Sequence, residues 1–167
     1  MITLEKTNIS WKNNSRIKKL VRILATCGYI GYIKKYPSCI GSLPGILLFL
    51  ITKDFPLYAQ AISLVLFILF SIGISQNMEE IENTTDPAEI VIDETAGMWV
   101  ALFGLWDTSF GMILTAFLLF RALDVLKPFP ISIFQGYKGG IGVVADDVAA
   151  GMIVNIIIRL LILKGVF

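Results

Sequence analysis

Leu57-Tyr-Ala-Gln-Ala-Ile-Ser-Leu-Val-Leu-Phe-Ile-Leu-Phe-Ser-Ile-Gly-Ile-Ser75 runs nineteen residues without a charge. That falls within the roughly 17–25 apolar residues a membrane-spanning helix needs, and it is the best candidate for a full crossing in the chain. Its neighbours are equally apolar but shorter. Upstream, Gly41-Ser42-Leu43-Pro44 opens the apolar run 45–52, and a serine before a first-turn proline is a sound helix start. Ten or eleven residues there would measure about 16 Å, half the hydrocarbon core, which predicts a half-span or a helix buried among others. Downstream, a helix is expected from near Asp93 through the apolar run 98–103, and another from Phe110 through Arg121 to Pro128 and Pro130. The last is expected from about Asp146 to Leu163. Breaks fall at Lys53-Asp54-Phe55-Pro56, at the acidic polar stretch 76–90, around 104–109, and in the glycine-rich loop 135–142. Strand alternation is nowhere convincing. The fold class predicted is all-α: a compact multihelical membrane-associated bundle.

Toward the N-terminus, residues 1–15 form a polar tail, and residues 16–167 a single helical domain. From Arg16 to about Ile33, Ile17, Leu20, Val21 and Leu24 recur at helical spacing, with Lys18, Lys19 and Arg22 on the other side. This predicts a basic amphipathic helix, either lying on a bilayer or simply setting topology with its charges.

Composition agrees with a membrane setting. Of the 167 residues 56% are hydrophobic, and the mean hydropathy is +0.76, against ~45–50% apolar in soluble domains. The remaining alternative is a small, very apolar helical domain that buries its excess in an oligomer. Eight of the fourteen basic residues precede position 36, and seven of the thirteen acids lie between Glu79 and Glu94. A basic leading end favours the cytoplasmic side and anionic lipid head groups. No basic patch with interleaved aromatics suggests nucleic acid. The absence of histidine removes His-ligated zinc and Ser-His-Asp or Cys-His nucleophiles. Cys27 and Cys39 have no metal-site spacing and read as packing residues. No cleavable signal peptide is expected.

The chemistry is carried by acids set against hydrocarbon. Asp93-Glu94 and Asp146-Asp147 each abut a long apolar stretch, where an ionised carboxylate loses costly hydration. One acid at a helix start is explained by capping, but two adjacent acids repel each other. A hard divalent cation removes that penalty, so the four form the candidate metal set. Between the pairs, Arg121, Asp124 and Lys127 follow at helical spacing on one flank. They make either a salt-bridged helix end or an anion pocket, in which an arginine fork suits bidentate phosphate. Gly41 and Ser42 at a helix start are weaker phosphate candidates, plain capping being the simpler reading. One faint internal echo sets Asp93…Gly97-Met98 against Asp147…Gly151-Met152. In each copy a glycine lies one turn beyond the acid on the same face, a place where another backbone can approach closely.

Three stretches resemble the signature blocks of the phosphatidylglycerophosphatase A family: Ile90-Val-Ile-Asp-Glu-Thr-Ala-Gly-Met-Trp99, Phe120-Arg-Ala-Leu-Asp-Val-Leu-Lys-Pro-Phe-Pro130 and Gly140-Ile-Gly-Val-Val-Ala-Asp-Asp-Val-Ala-Ala-Gly151. A fourth block, usually Pro-Gly-Thr-x-Gly-Ser-Leu, reads here Pro37-Ser-Cys-Ile-Gly-Ser-Leu43, with Ser38 for the glycine and Cys39 for the threonine. The likeness covers about residues 37–160 in the family's order. It implies a magnesium-dependent phosphatase of phospholipid biosynthesis at the bacterial inner membrane, its active site facing the cytoplasm. Its substrate would be the anionic lipid phosphatidylglycerophosphate, and its products phosphatidylglycerol and phosphate. On that reading Asp93, Glu94, Asp146 and Asp147 hold one or two Mg²⁺. Arg121 and Lys127, with Ser42 and Gly41, hold the phosphate, and Asp124 orients Arg121 or relays a proton. The competing class is a non-enzymatic transport or scaffold protein with intramembrane acids. A CDP-alcohol phosphotransferase would need a longer Asp-Gly…Gly…Asp…Asp signature, which is absent.

Overall fold

The computed structural model describes residues 14–106 and 108–167, so nearly all of the expected polar tail, 1–15, lies outside the described residues. Among the described residues there is no strand. Six helices of ten or more residues carry the fold: α1 (Ser15–Ala25), α2 (Leu43–Thr52), α3 (Leu57–Glu82), α4 (Ile92–Leu102), α5 (Phe110–Leu126) and α6 (Gly140–Leu163). A five-residue helix, Pro37–Gly41, leads into α2, and single 3₁₀ segments occupy Ile30–Tyr32 and Ile131–Gly136.

The centre of the bundle is α4, all eleven of whose residues are buried. It is apolar on every side apart from its first turn, as an enclosed helix must be. Its most extensive partner is α6, with α2, α3 and α5 closing the remaining sides. Small residues make the crossing possible. A Cβ on Gly151 would stand 2.2 Å from the Gly97 carbonyl oxygen, and one on Gly97 would stand 2.6 Å from that of Asp147. The glycines of the internal echo therefore do meet, backbone to backbone, and they bring the acids one turn earlier to the same level.

The outward surface is hydrocarbon. Both α3 and α6 are long and apolar enough to cross a membrane, and the most apolar stretch of α3 is only 17% buried within the protein. Ile62, Leu66 and Leu69 are 58%, 62% and 60% exposed along it. So large an apolar face marks an interaction surface, here a lipid one, and the chain is membrane-associated. The ten-residue α2 matches the predicted half-length helix; Gly45, Phe49 and Thr52 face inward, and Leu47, Leu50 and Ile51 outward.

The far end of α4 stops inside the bundle, where its last carbonyls need donors. Asn155 Nδ2 donates to the carbonyls of Ala101 and Phe103 at 3.0 and 2.9 Å, and also to Val100 at 3.3 Å. Arg159 Nη2 adds bonds to Phe103 and Gly104, and its Nε donates to Asn155 Oδ1 at 2.8 Å. Replacing Asn155 with leucine strands these carbonyls and is expected to cost about 1–3 kcal/mol. Thermal unfolding in detergent should show a midpoint lowered by several degrees.

Four boundaries differ from expectation. The first helix ends at Ala25 rather than near Ile33, because Cys27, Gly28 and Tyr29 turn left-handed and the Gly28 N–H closes back on Ile23. Ser42 is no cap: the chain is already helical from Pro37, and its hydroxyl donates to the Ser38 carbonyl at 3.0 Å. The span beginning at Leu57 continues through Glu82, since Met78, Glu79, Glu80 and Glu82 are good helix formers despite their polarity. The last helix begins at Gly140, so its second turn leads into Asp146 and Asp147 and capping does not explain them.

Candidate active site

Three elements deliver the polar groups. The first turn of α4 carries Asp93 and Glu94, the second turn of α6 leads into Asp146 and Asp147, and the last turns of α5 carry Arg121 and Asp124, with Lys127 as its C-cap. The start of α6 is pinned to α3, where Gln76 Oε1 accepts the Gly140 N–H at 2.9 Å. All five carboxylates are buried, with residue exposures between 3% and 9%.

Within this group the acids divide. One oxygen each from Asp93, Glu94 and Asp147 lies within 4.8 Å of the others. Asp146, although adjacent to Asp147, turns to Lys127, whose Nζ donates to its Oδ2. Arg121 Nη1 pairs with Asp124 Oδ2 at 2.8 Å and approaches the Ser42 hydroxyl at 3.5 Å. Lys127 Nζ stands 3.9 Å from Asp124 Oδ1, so α5 presents a cation–anion–cation ladder along its flank. Gly41 is buried against Val91, and its carbonyl accepts from Thr95 at 2.7 Å. The Ser42 N–H is occupied by Ser38 at 3.1 Å, so it is not free for a ligand.

Three buried atoms at this centre have no hydrogen-bond partner: Glu94 Oε2, Asp147 Oδ1 and Arg121 Nε. Orphaned buried oxygens and an orphaned guanidinium N–H are costly unless a ligand satisfies them. Burial, then the charge of Glu94, holds the Asp93 carboxyl well above the ordinary carboxylate range. Burial also raises Glu94, with hydrogen bonding to Asp93 and to Ser38 partly opposing it. Burial works against the charge on Lys127, yet the bond and charge of Asp146 outweigh it and raise its pKa.

The donor set fits a divalent cation. Metal–oxygen bonds of about 2.0–2.6 Å place ligand oxygens up to roughly 4–5 Å apart across a hard ion. An all-oxygen trio of that span, with two oxygens unsatisfied, could hold such an ion. Beside it a polar cavity of about 240 Å³ opens between Asp146, Glu79, Asp86, Tyr137 and Gly139. Sequence reasoning did not single out Ser38 as a neighbour of Glu94, nor Asp86 on this cavity. Asp86 had a faint signal, the Thr85-Asp86-Pro87 turn, but nothing in the chain order says it folds back over Asp146.

An oxygen-only cation pocket beside a half-satisfied guanidinium, on helices whose outer faces are hydrocarbon, describes a membrane-associated enzyme of phosphorylated lipids. The chain matches the Phosphatidylglycerophosphatase A family over residues 23–162. It belongs to that family, and is a lipid phosphatase of it. Among its relatives, Phosphatidylglycerophosphatase A of Haemophilus influenzae is 33% identical over 154 residues, 87% of this chain and 93% of that protein. The Escherichia coli protein of the same name is 30% identical over 118 residues, 70% of this chain and 69% of its own. A Bacteroides thetaiotaomicron protein, provisionally named a phosphatidylinositol-3-phosphatase, is 34% identical over 108 residues, 64% of this chain and 67% of its own. No solved structure matches.

Proposed function

We propose that residues 16–167 form one catalytic domain that hydrolyses phosphatidylglycerophosphate to phosphatidylglycerol and inorganic phosphate. It would work with Mg²⁺ at the bacterial inner membrane, its site facing the cytoplasm. The observation that carries this reading is the buried trio Asp93, Glu94 and Asp147, two of its oxygens unsatisfied, next to Arg121. The basic α1, tied to the acidic end of α3 by Arg22 and Glu82 at 2.7 Å, supports the cytoplasmic orientation.

In this mechanism Asp93, Glu94 and Asp147 would hold Mg²⁺. The bound cation would polarise the phosphoryl oxygens and make a water molecule more acidic. Arg121, fixed by Asp124, directs its guanidinium at the phosphate and neutralises charge that grows as the phosphorus–oxygen bond breaks. Lys127 contributes a second positive charge, steered by Asp146 rather than left mobile. Water supplies the new oxygen on phosphorus and gives up a proton, and the leaving glycerol oxygen takes up a proton. Asp146 accordingly serves to position Lys127, while Asp93, Glu94 and Asp147 serve the cation. Ser42 and Gly41 shape the wall beside Arg121.

Relatives named for two different lipids make the head group the point to test. Purified protein in mixed micelles is expected to release phosphate from phosphatidylglycerophosphate with Mg²⁺ and to stop with EDTA. Phosphatidylinositol 3-phosphate should be cleaved at least about tenfold less efficiently, since discrimination by missing polar contacts readily reaches that size. The reverse preference would transfer the assignment to the inositol lipid, and no release from either would refute it.

A further inference from the structure

A second cavity lies one turn from the carboxylates and is almost wholly apolar. It measures about 280 Å³ and is bounded by Leu24 of α1, Leu47 and Leu48 of α2, Phe67 and Phe70 of α3, and Ile92 of α4. We propose that this groove takes one acyl chain of the lipid whose phosphate is hydrolysed, an anionic phosphomonoester phospholipid. The inference rests on the lipid-phosphate reading above and adds where the lipid's tail lies.

Three features point to that occupant. The groove begins close along the chain to the phosphate end of the site: Arg121 approaches Ser42 at 3.5 Å, and Pro44, Leu47 and Leu48 just beyond it line the groove. On the opposite wall, Ile92 and Thr95 flank Asp93 and Glu94 on the first turn of α4. Asp93 and Glu94 point to the other side of α4 from Ile92 and Thr95, so a lipid with its phosphate at Arg121 would pass its tail around the N-terminal end of α4 to reach the groove. Second, the groove opens between α2 and α3, whose outer faces are exposed hydrocarbon, Leu47 at 59% and Phe70 at 44% exposure. A chain can thus enter sideways from the bilayer. Third, the rim is α1, which lays Ile23 and Leu24 into the groove and carries Lys18, Lys19 and Arg22 along its length. Arg22 is held by Glu82, so the charge that α1 would offer to anionic head groups near the groove is that of Lys18 and Lys19.

Tails in a bilayer already sit in hydrocarbon, so the groove gains little from transfer. Its contribution is orientation: it fixes the direction from which the phosphate meets Arg121. Filling it should therefore affect long-chain substrates and spare short-chain ones. Dipalmitoyl and dibutanoyl phosphatidylglycerophosphate, identical in head group, are assayed in detergent with the full chain. Leu24→Trp and Leu48→Trp are expected to lower kcat/KM for the dipalmitoyl lipid about tenfold and for the dibutanoyl lipid by less than about twofold. Leu118→Trp, on an exposed face of α5 away from the groove (Leu118 is 59% exposed), should change neither. Equal losses on both substrates, or none on either, overturn the proposal. A readout independent of turnover is the fluorescence of Leu47→Trp in vesicles. It should be quenched more by a trace of brominated-chain phosphatidylglycerophosphate than by brominated phosphatidylcholine at the same mole fraction. Equal quenching overturns the groove even if wild-type protein cleaves the lipid. Selective quenching without cleavage keeps the groove and refutes the phosphatase assignment instead.

Discussion

Asp147→Asn is expected to reduce magnesium-dependent phosphate release by on the order of 10³-fold or more while the bundle remains folded. Asp147 contributes an oxygen to the trio with Asp93 and Glu94, and its Oδ1 is one of the orphaned buried atoms. Asparagine keeps the shape but removes the charge, leaving two carboxylates from one helix turn to hold a divalent ion. The stability readout has the opposite sign. Without metal, three crowded acids destabilise the fold, so the amide should raise the unfolding midpoint by about 2–4 °C, equivalent to roughly 1 kcal/mol. With Mg²⁺, wild type should gain stability by binding and the variant should not. Full activity in a folded Asp147→Asn protein, or a midpoint rise with Mg²⁺ equal to wild type, would remove Asp147 from the cation site.

Arg121→Ala should cost about 10²–10³-fold in kcat/KM, since on the proposed mechanism the guanidinium meets the charge developing on phosphate. The same change leaves Asp124 buried without its 2.8 Å partner, a defect that by itself destabilises. The double variant Arg121→Ala with Asp124→Asn separates the two effects, because it removes both charges together. It should recover stability without recovering activity. Arg121→Lys keeps a positive charge but loses the fork, including the unpartnered Nε, and should still lose about tenfold or more. If the lysine variant matches wild type, bidentate recognition by Arg121 is wrong.

The chemistry was easier to read from the chain than its boundaries. Charged groups against hydrocarbon are conspicuous whatever the fold, so Asp93, Glu94, Arg121, Asp124, Asp146 and Asp147 stood out, as did the glycines at 97 and 151. Division of labour among the acids was not legible. Asp146 and Asp147 differ by about 100° around a helix, and only the packing of α6 on α4 and α5 decides which one meets Lys127. The start of α6 was misjudged because Gly140 and Gly142 look like loop residues. They are glycines for a different reason: a Cβ at either would lie 2.0 Å from a carbonyl oxygen, of Ile72 and Tyr137 respectively. Asn155 and Arg159 formed a visible i, i+4 polar pair in an apolar run, yet their partners are carbonyls more than fifty residues earlier. Nothing local announces such a partner.

Because Asp147 sits seven residues into α6, the reacting centre lies about 10 Å down that helix from Gly140. On the proposed mechanism, hydrolysis needs water at a centre whose five carboxylates are each no more than 9% exposed. The recess bounded by Glu79, Asp86, Tyr137 and Asp146, one residue from Asp147, would then be the way in for that water. Its acidic lining favours incoming cations and would oppose a bare anion leaving the same way, so on the proposed mechanism the freed phosphate would have to depart with its charge offset by a cation.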